Sequence, residues 1–170
     1  MDKKKIKIEI KNRWTGKVLF EYEKEDNTMK ETVIEAVKRG ADLRGADLGG
    51  AENVPYIPMA CPSDGAFIGW KKIKYQQKEY LVKMFILEDS KRSSATGRKC
   101  RCDKAKVLAI YESCDLKKEV KEVVNSNYVT TVYRAGDMVF ADKWDDERFN
   151  ECSHGIHFFI NKQEAIDYNL

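Results

Sequence analysis

Histidine, proline and one-sided charge are the scarce commodities of this 170-residue sequence. Lysine and arginine total 31 against 28 acids, for a formal net charge of +3. Nonspecific grip on duplex nucleic acid normally comes with a more lopsided balance, so nucleic acid is disfavoured as a partner. Attraction to an anion must come from local clustering instead. The start, MDKKKIKIEIKNRW, is charged throughout and has no apolar h-region, which argues against a secretory signal. No apolar run approaches the roughly 18 residues of a membrane span, so no membrane role is expected. The five cysteines (Cys61, Cys100, Cys102, Cys114 and Cys152) are odd in number and tightly spaced in places. That pattern argues against a disulfide scaffold and for a reducing cytoplasm. Phosphate-loop spacings are also missing: neither G-x-x-x-x-G-K-[ST] nor G-x-G-x-x-G occurs.

What is present is a heavily charged chain with enough apolar residues for one continuous core. KIKIEI and VLFEYE alternate about Thr15-Gly16, predicting a β-hairpin. Met29, Val33, Ile34 and Val37 predict one face of a helix that closes at Gly40. After Pro58 and Pro62, AFIGWKKIKY, YLVKMFIL and KAKVLAIYE predict successive strands. LKKEVKEVV, with Asp115 as cap, predicts a short amphipathic helix through Val124. YVTTVYR, DMVFAD and GIHFFI predict further strands, and Asn161 opens a terminal helix with Glu164 three residues on. The expected fold class is α+β. Residues 1–58 form an N-terminal hairpin, helix and repeat segment, and residues 59–170 a compact sheet domain with two short helices.

The repeat segment reads ADLRG, ADLGG, AENVP, from Ala41 to Pro55. It resembles the pentapeptide-repeat pattern, in which the central Leu points into a four-sided β-helix. Less than one full coil is present, so the segment reads as a connector that needs a neighbour to pack on. Three longer stretches are ADLRGADLGGA, KRSSATGRKCRCDKAKVL and GDMVFADKWDDERFNECSHGIHFFINKQEAIDY. In that order they resemble a group of phage and prophage proteins of unknown function, whose domain ends in C-x-x-G-I-H-F-F. The resemblance implies a small accessory protein carried by a bacteriophage and working in the cytoplasm of a bacterial host cell. YRAGD at 133–137 and GIHFFINKQEAIDY at 155–168 are similar to two signatures of the ADP-ribosyltransferase fold. That similarity implies Arg134 or His157 in a nucleotide pocket. The family's catalytic carboxylate sits on a strand after this helix, and the sequence ends at Leu170, so binding without turnover is the expectation.

The stretch with the most evident chemistry is KRSSATGRKCR, residues 91–101. Arg92, Arg98, Lys99 and Arg101 offer cationic donors, Ser94 and Thr96 offer hydroxyls, and Gly97 permits a turn whose N–H groups face an anion. Trp70 and Lys72 share a strand face, a workable base-plus-phosphate pair. Trp14, Trp144, Tyr75, Tyr80, Tyr128 and Tyr133 are further stacking candidates. The competing arrangement is internal pairing of the basic loop with Asp142, Asp145, Asp146 and Glu147. Cys100, Cys102, Cys152 and His154 would suffice for zinc by ligand type, but C-x-C departs from the usual knuckle spacing. Two strand residues two apart share a face, so core packing is the expected role and neither metal nor cofactor is expected.

Together these residues suggest a protein that holds, without turning over, a phosphate-bearing, nucleotide-like small molecule such as an immune signal of bacterial antiviral defence. The alternative is a protein–protein inhibitor of a host factor with the basic loop as electrostatic hook. An ADP-ribosyltransferase-like enzyme is a third reading. A homo-oligomer with a shared pocket stays open.

Overall fold

The computed structural model describes residues 4–49, 51, 57–125 and 130–169. Two compact units are found. The first is Met1–Ala60 with Ser94–Arg98 and Glu147–Glu151. The second is Cys61–Ser93, Lys99–Asp146 and Cys152–Leu170.

In the first unit, β1 (Lys5–Lys11) and β2 (Val18–Glu25) form the expected antiparallel hairpin, with Ile8 opposite Tyr22. The Asn12 carboxamide oxygen accepts from the Trp14 and Thr15 amides at 3.1 and 3.0 Å, and Gly16 supplies a φ of 68°. Helix α1 (Met29–Lys38) starts at Thr28, whose hydroxyl accepts from the Glu31 amide at 3.2 Å. Gly40, at φ 67°, takes the left-handed position just past its end. The buried stripe differs from the expected one. Thr32, Val33 and Ala36 are inside, and Val37 is exposed. Leu43 and Leu48, five residues apart, join Ile10, Val33, Ala36 and Ala46 in one core with Ala95 and Phe149. The third repeat-like unit lies, from residue 52, outside the described residues.

The second unit is built of antiparallel strands. One sheet runs β11 (Met138–Phe140), β7 (Lys104–Glu112), β4 (Lys78–Ile86), β3 (Phe67–Tyr75), with β8 (Asp115–Glu119) also on β7. The β3–β4 hairpin turns on Gln76 and Gln77, both at positive φ, as a tight primed turn requires. A second sheet runs β12 (Ile156–Phe158), β6 (Cys100–Cys102), β5 (Arg92–Ser94). A third pairs β9 (Glu122–Asn125) with β10 (Thr131–Arg134). Trp70 and Phe159 exchange two backbone hydrogen bonds of 2.7 Å, tying the end of β12 to β3. Helix α2 (Lys162–Asp167) is capped by the Asn161 side chain at 2.8 Å from the Gln163 amide.

Two expectations are corrected. The chain is mostly β rather than α+β, with twelve strands and two short helices among the described residues. The helix expected from Asp115 to Val124 is instead β8 and β9. Its Val residues favour extended backbone, and β7 and β10 offer ladders to pair with. Asp115 accepts from the Lys117 amide at 3.0 Å, a local turn contact rather than a helix cap.

Candidate functional site

Side chains alternate along β3, so Gly69, Lys71 and Ile73 share its inward face. Gly69 and Ile73 are buried there, and Lys71 therefore points a cation where an apolar residue would be ordinary. Gly69 is bare for a reason: a Cβ would come within 2.7 Å of the Phe158 ring. That close approach and the Trp70–Phe159 bridge set Lys71 beside β12. Its Nζ donates to the His157 carbonyl at 3.2 Å. Among the described residues it has no carboxylate partner. Burial pushes its pKa down to about 8, and the Lys99 ammonium pushes the same way against the opposing Cys102.

Lys71 opens onto a cavity of about 670 Å³ within the second unit. Its wall includes Lys72, Lys99, Thr131, Tyr133, Asp142, Cys152, His154, His157, Phe159 and Tyr168. Among the described residues, three lysines face it against one carboxylate, Asp142. That carboxylate lies 3.0 Å from His154 Nδ1. Burial alone would raise the Asp142 pKa, but the Lys143 amide and His154 outweigh it and the net shift is downward. Lys72 Nζ is occupied by the Ile166 and Tyr168 carbonyls at 2.9 and 3.2 Å and by Glu79 at 3.1 Å. Lys99 Nζ lies 3.4 Å from Cys152 Sγ and 5.7 Å from the centre of the Tyr168 ring. Tyr168 in turn packs on Phe159, ring centres 5.2 Å apart. Burial pushes the Tyr133 phenol pKa up, so it stays a neutral hydrogen-bonding group. The size and the mixture of aromatic walls with a few polar groups suit a small-molecule site.

The residues expected from the sequence scatter. Lys72, Lys99 and His157 line the cavity. The stretch 91–101 is not one open loop, since β5 and β6 occupy both of its ends. Arg92 is tied down by the carbonyls of Leu87, Glu88, Ser90 and Gly65, with Phe67 under its guanidinium. Arg101 is 2% exposed, donates to the Asp145 and His154 carbonyls and lies 4.8 Å from the Trp144 ring centre. Both arginines are structural clamps rather than loop donors. Lys91 pairs with Asp146 at 3.7 Å, so part of the anticipated pairing between basic and acidic segments is present.

Ser94, Thr96 and Arg98 belong to the first unit. The Ser94 hydroxyl accepts from the Ala60 amide at 2.7 Å, Thr96 donates to the Ala46 carbonyl at 3.1 Å, and Arg98 is exposed. The Trp70 ring lies under Lys83 and Lys162, at 5.7 and 5.5 Å. Exposed Arg134 pairs with Glu122 across β9–β10. Tyr128 lies outside the described residues. Cys100 and Cys102 are fully buried in the core, where burial pushes the Cys102 thiol pKa up and away from the thiolate that zinc requires. Among the described residues no group of three or more His, Cys, Asp or Glu is placed to hold a metal. No helix among them is long and apolar enough to cross a membrane.

A family model matches residues 57–165, the greater part of the chain and nearly all of the cavity-bearing unit. The chain belongs to the family of unknown function DUF5758. No curated protein and no solved structure matches it. The DUF5758 stretch contains every cavity residue named above except Tyr168, which lies just past its end. Sequence reasoning missed Lys71, although its signal was legible: it is the charged member of an otherwise inward-facing set on β3.

Proposed function

We propose that the DUF5758 unit binds a small phosphate-bearing anion in the cavity beside β3. The observation that carries this is Lys71, a half-buried ammonium with no carboxylate partner among the described residues, on a wall whose described residues include three lysines and one acid. Partial withdrawal of a cation from water without a counter-charge is unfavourable, and a phosphate oxygen supplies both a charge and an acceptor. Lys99 adds a second ammonium beside Tyr168, and the Phe159–Tyr168 pair offers an aromatic face for a base or ring. The sequence resemblance to phage proteins extends this to a nucleotide signal of antiviral defence, sequestered without turnover.

The test is native mass spectrometry of the protein purified gently from bacterial cytoplasm, followed by calorimetric titration with the ligand it weighs. A retained mass of nucleotide size is expected. Replacing Lys71 and Lys99 together with alanine should weaken binding about a hundredfold, the loss of two charge-assisted contacts. Undiminished affinity in that double variant would sink the assignment.

A further inference from the structure

Lys71 differs from the other two cavity lysines in its surroundings. Lys72 is saturated by two carbonyls and a carboxylate. Lys99 stands against Cys152 and Tyr168. Among the described residues Lys71 Nζ has one acceptor, a neutral carbonyl, and it shares its cavity with those two other ammonium groups. Desolvation and a nearby cation are the two conditions that leave a lysine amine neutral and nucleophilic near physiological pH. Lining a cavity large enough for a metabolite, such an amine is placed to do more than attract charge.

We propose that Lys71 captures a carbonyl: the cavity takes a phosphate-bearing aldehyde or ketone and holds it as an imine on Lys71 Nζ. The inference rests on the anion-binding reading, because the phosphate is what draws the ligand in. The neutral Nζ lone pair adds to the carbonyl carbon while the C=O π pair moves to oxygen. One proton passes from nitrogen to that oxygen, giving a carbinolamine. Loss of the hydroxyl with the second amine proton releases one water and leaves C=N. No electrons change hands, so the step needs no oxidant or reductant. The depressed pKa of about 8 means that the neutral form is accessible under ordinary conditions.

A matched pair of probes separates capture from simple anion binding. Pyridoxal 5′-phosphate carries an aldehyde, and pyridoxine 5′-phosphate carries an alcohol in its place. The full chain is incubated with limiting pyridoxal 5′-phosphate, reduced with borohydride and mapped by peptide mass spectrometry. Lys71 should be modified about tenfold faster than surface lysines. Excess pyridoxine 5′-phosphate should protect it. Lys71→Arg keeps a cation but has no amine able to form an imine, and should lose the adduct. Unselective labelling, with pyridoxine 5′-phosphate still bound in the cavity, overturns imine capture and leaves the anion site standing. Unselective labelling with no binding of pyridoxine 5′-phosphate overturns both.

Discussion

Two cationic regions of the second unit invite comparison: the basic residues at 91–92 and 99–101, and the Lys71–Lys72 pair inside a strand. The first is dense, and the arginines at its two ends are held by backbone carbonyls. Arg92 meets four, and Arg101 meets two as well as the Trp144 face. The second region is sparse, yet among the described residues Lys71 has a single neutral acceptor, and a cavity lies in front of it. Density of charge along a chain therefore says little about ligand sites. What matters is how many acceptors the fold has already given each cation. Guanidinium groups, with five donors in a rigid fork, are well suited to gathering carbonyls from several loops.

That contrast can be broken most forcefully at Arg101. Arg101→Ala leaves two part-buried carbonyls short of a donor and a hole beneath Trp144, and should lower stability by about 3 kcal/mol. Denaturant titration measures this, and Arg101→Lys should recover only part of it because it lacks the planar fork. Gly155 comes next. It sits at φ 141°, and an added Cβ would lie 3.2 Å from Arg101 Cβ. Gly155→Ala should cost about 2 kcal/mol through backbone strain and crowding of the same clamp.

Lys71→Met should move stability in the opposite direction, raising it by about 1–2 kcal/mol at pH 7. The sign follows from proton binding. The ordinary lysine value is 10.5 and the folded value about 8, so between them the unfolded chain binds more protons than the native one. Stability of the native sequence should therefore climb with pH across that window. Below about pH 8 the penalty is fully present, and above 10.5 it is gone. The advantage of Lys71→Met should shrink to nothing over the same range, as melting curves of the two proteins would report. Lys99 and Cys102 are the titratable neighbours acting on Lys71, and a Lys99→Met background should narrow the window. The smallest effect is expected at Arg134. Its pair with Glu122 is exposed on both sides, so Arg134→Ala should change stability by less than about 0.5 kcal/mol.

Much of the fold was legible where local rules act alone. The hairpin at Gly16, the end of α1 at Gly40, the β3–β4 pair and the Asn161 cap all follow from short stretches. Residues 115–124 were not legible, because their apolar spacing fits a helix while their valines and available ladder partners fit strands. Ladder partners are invisible one segment at a time. The site divides in the same way. Lys72, Lys99 and His157 were reachable from motif and charge. Tyr133 was considered for stacking, and it reaches the wall from β10. Lys71 was passed over because the reading of β3 followed the opposite face, the one that Trp70 and Lys72 share. Strand parity was the available correction, since Gly69 and Ile73 on either side of it both face inward.

The composition of the first unit has a consequence for biosynthesis. Its core includes Ala95 and Phe149, which arrive long after the hairpin and helix have left the ribosome. At about 5–20 residues per second, the wait between residue 60 and residue 149 is roughly 5–20 seconds. During that interval Ile10, Val33, Leu43 and Leu48 lack two of their core neighbours. The earliest part of the chain to be made is thus among the last to be sealed, and a nascent-chain chaperone has several seconds in which to find it.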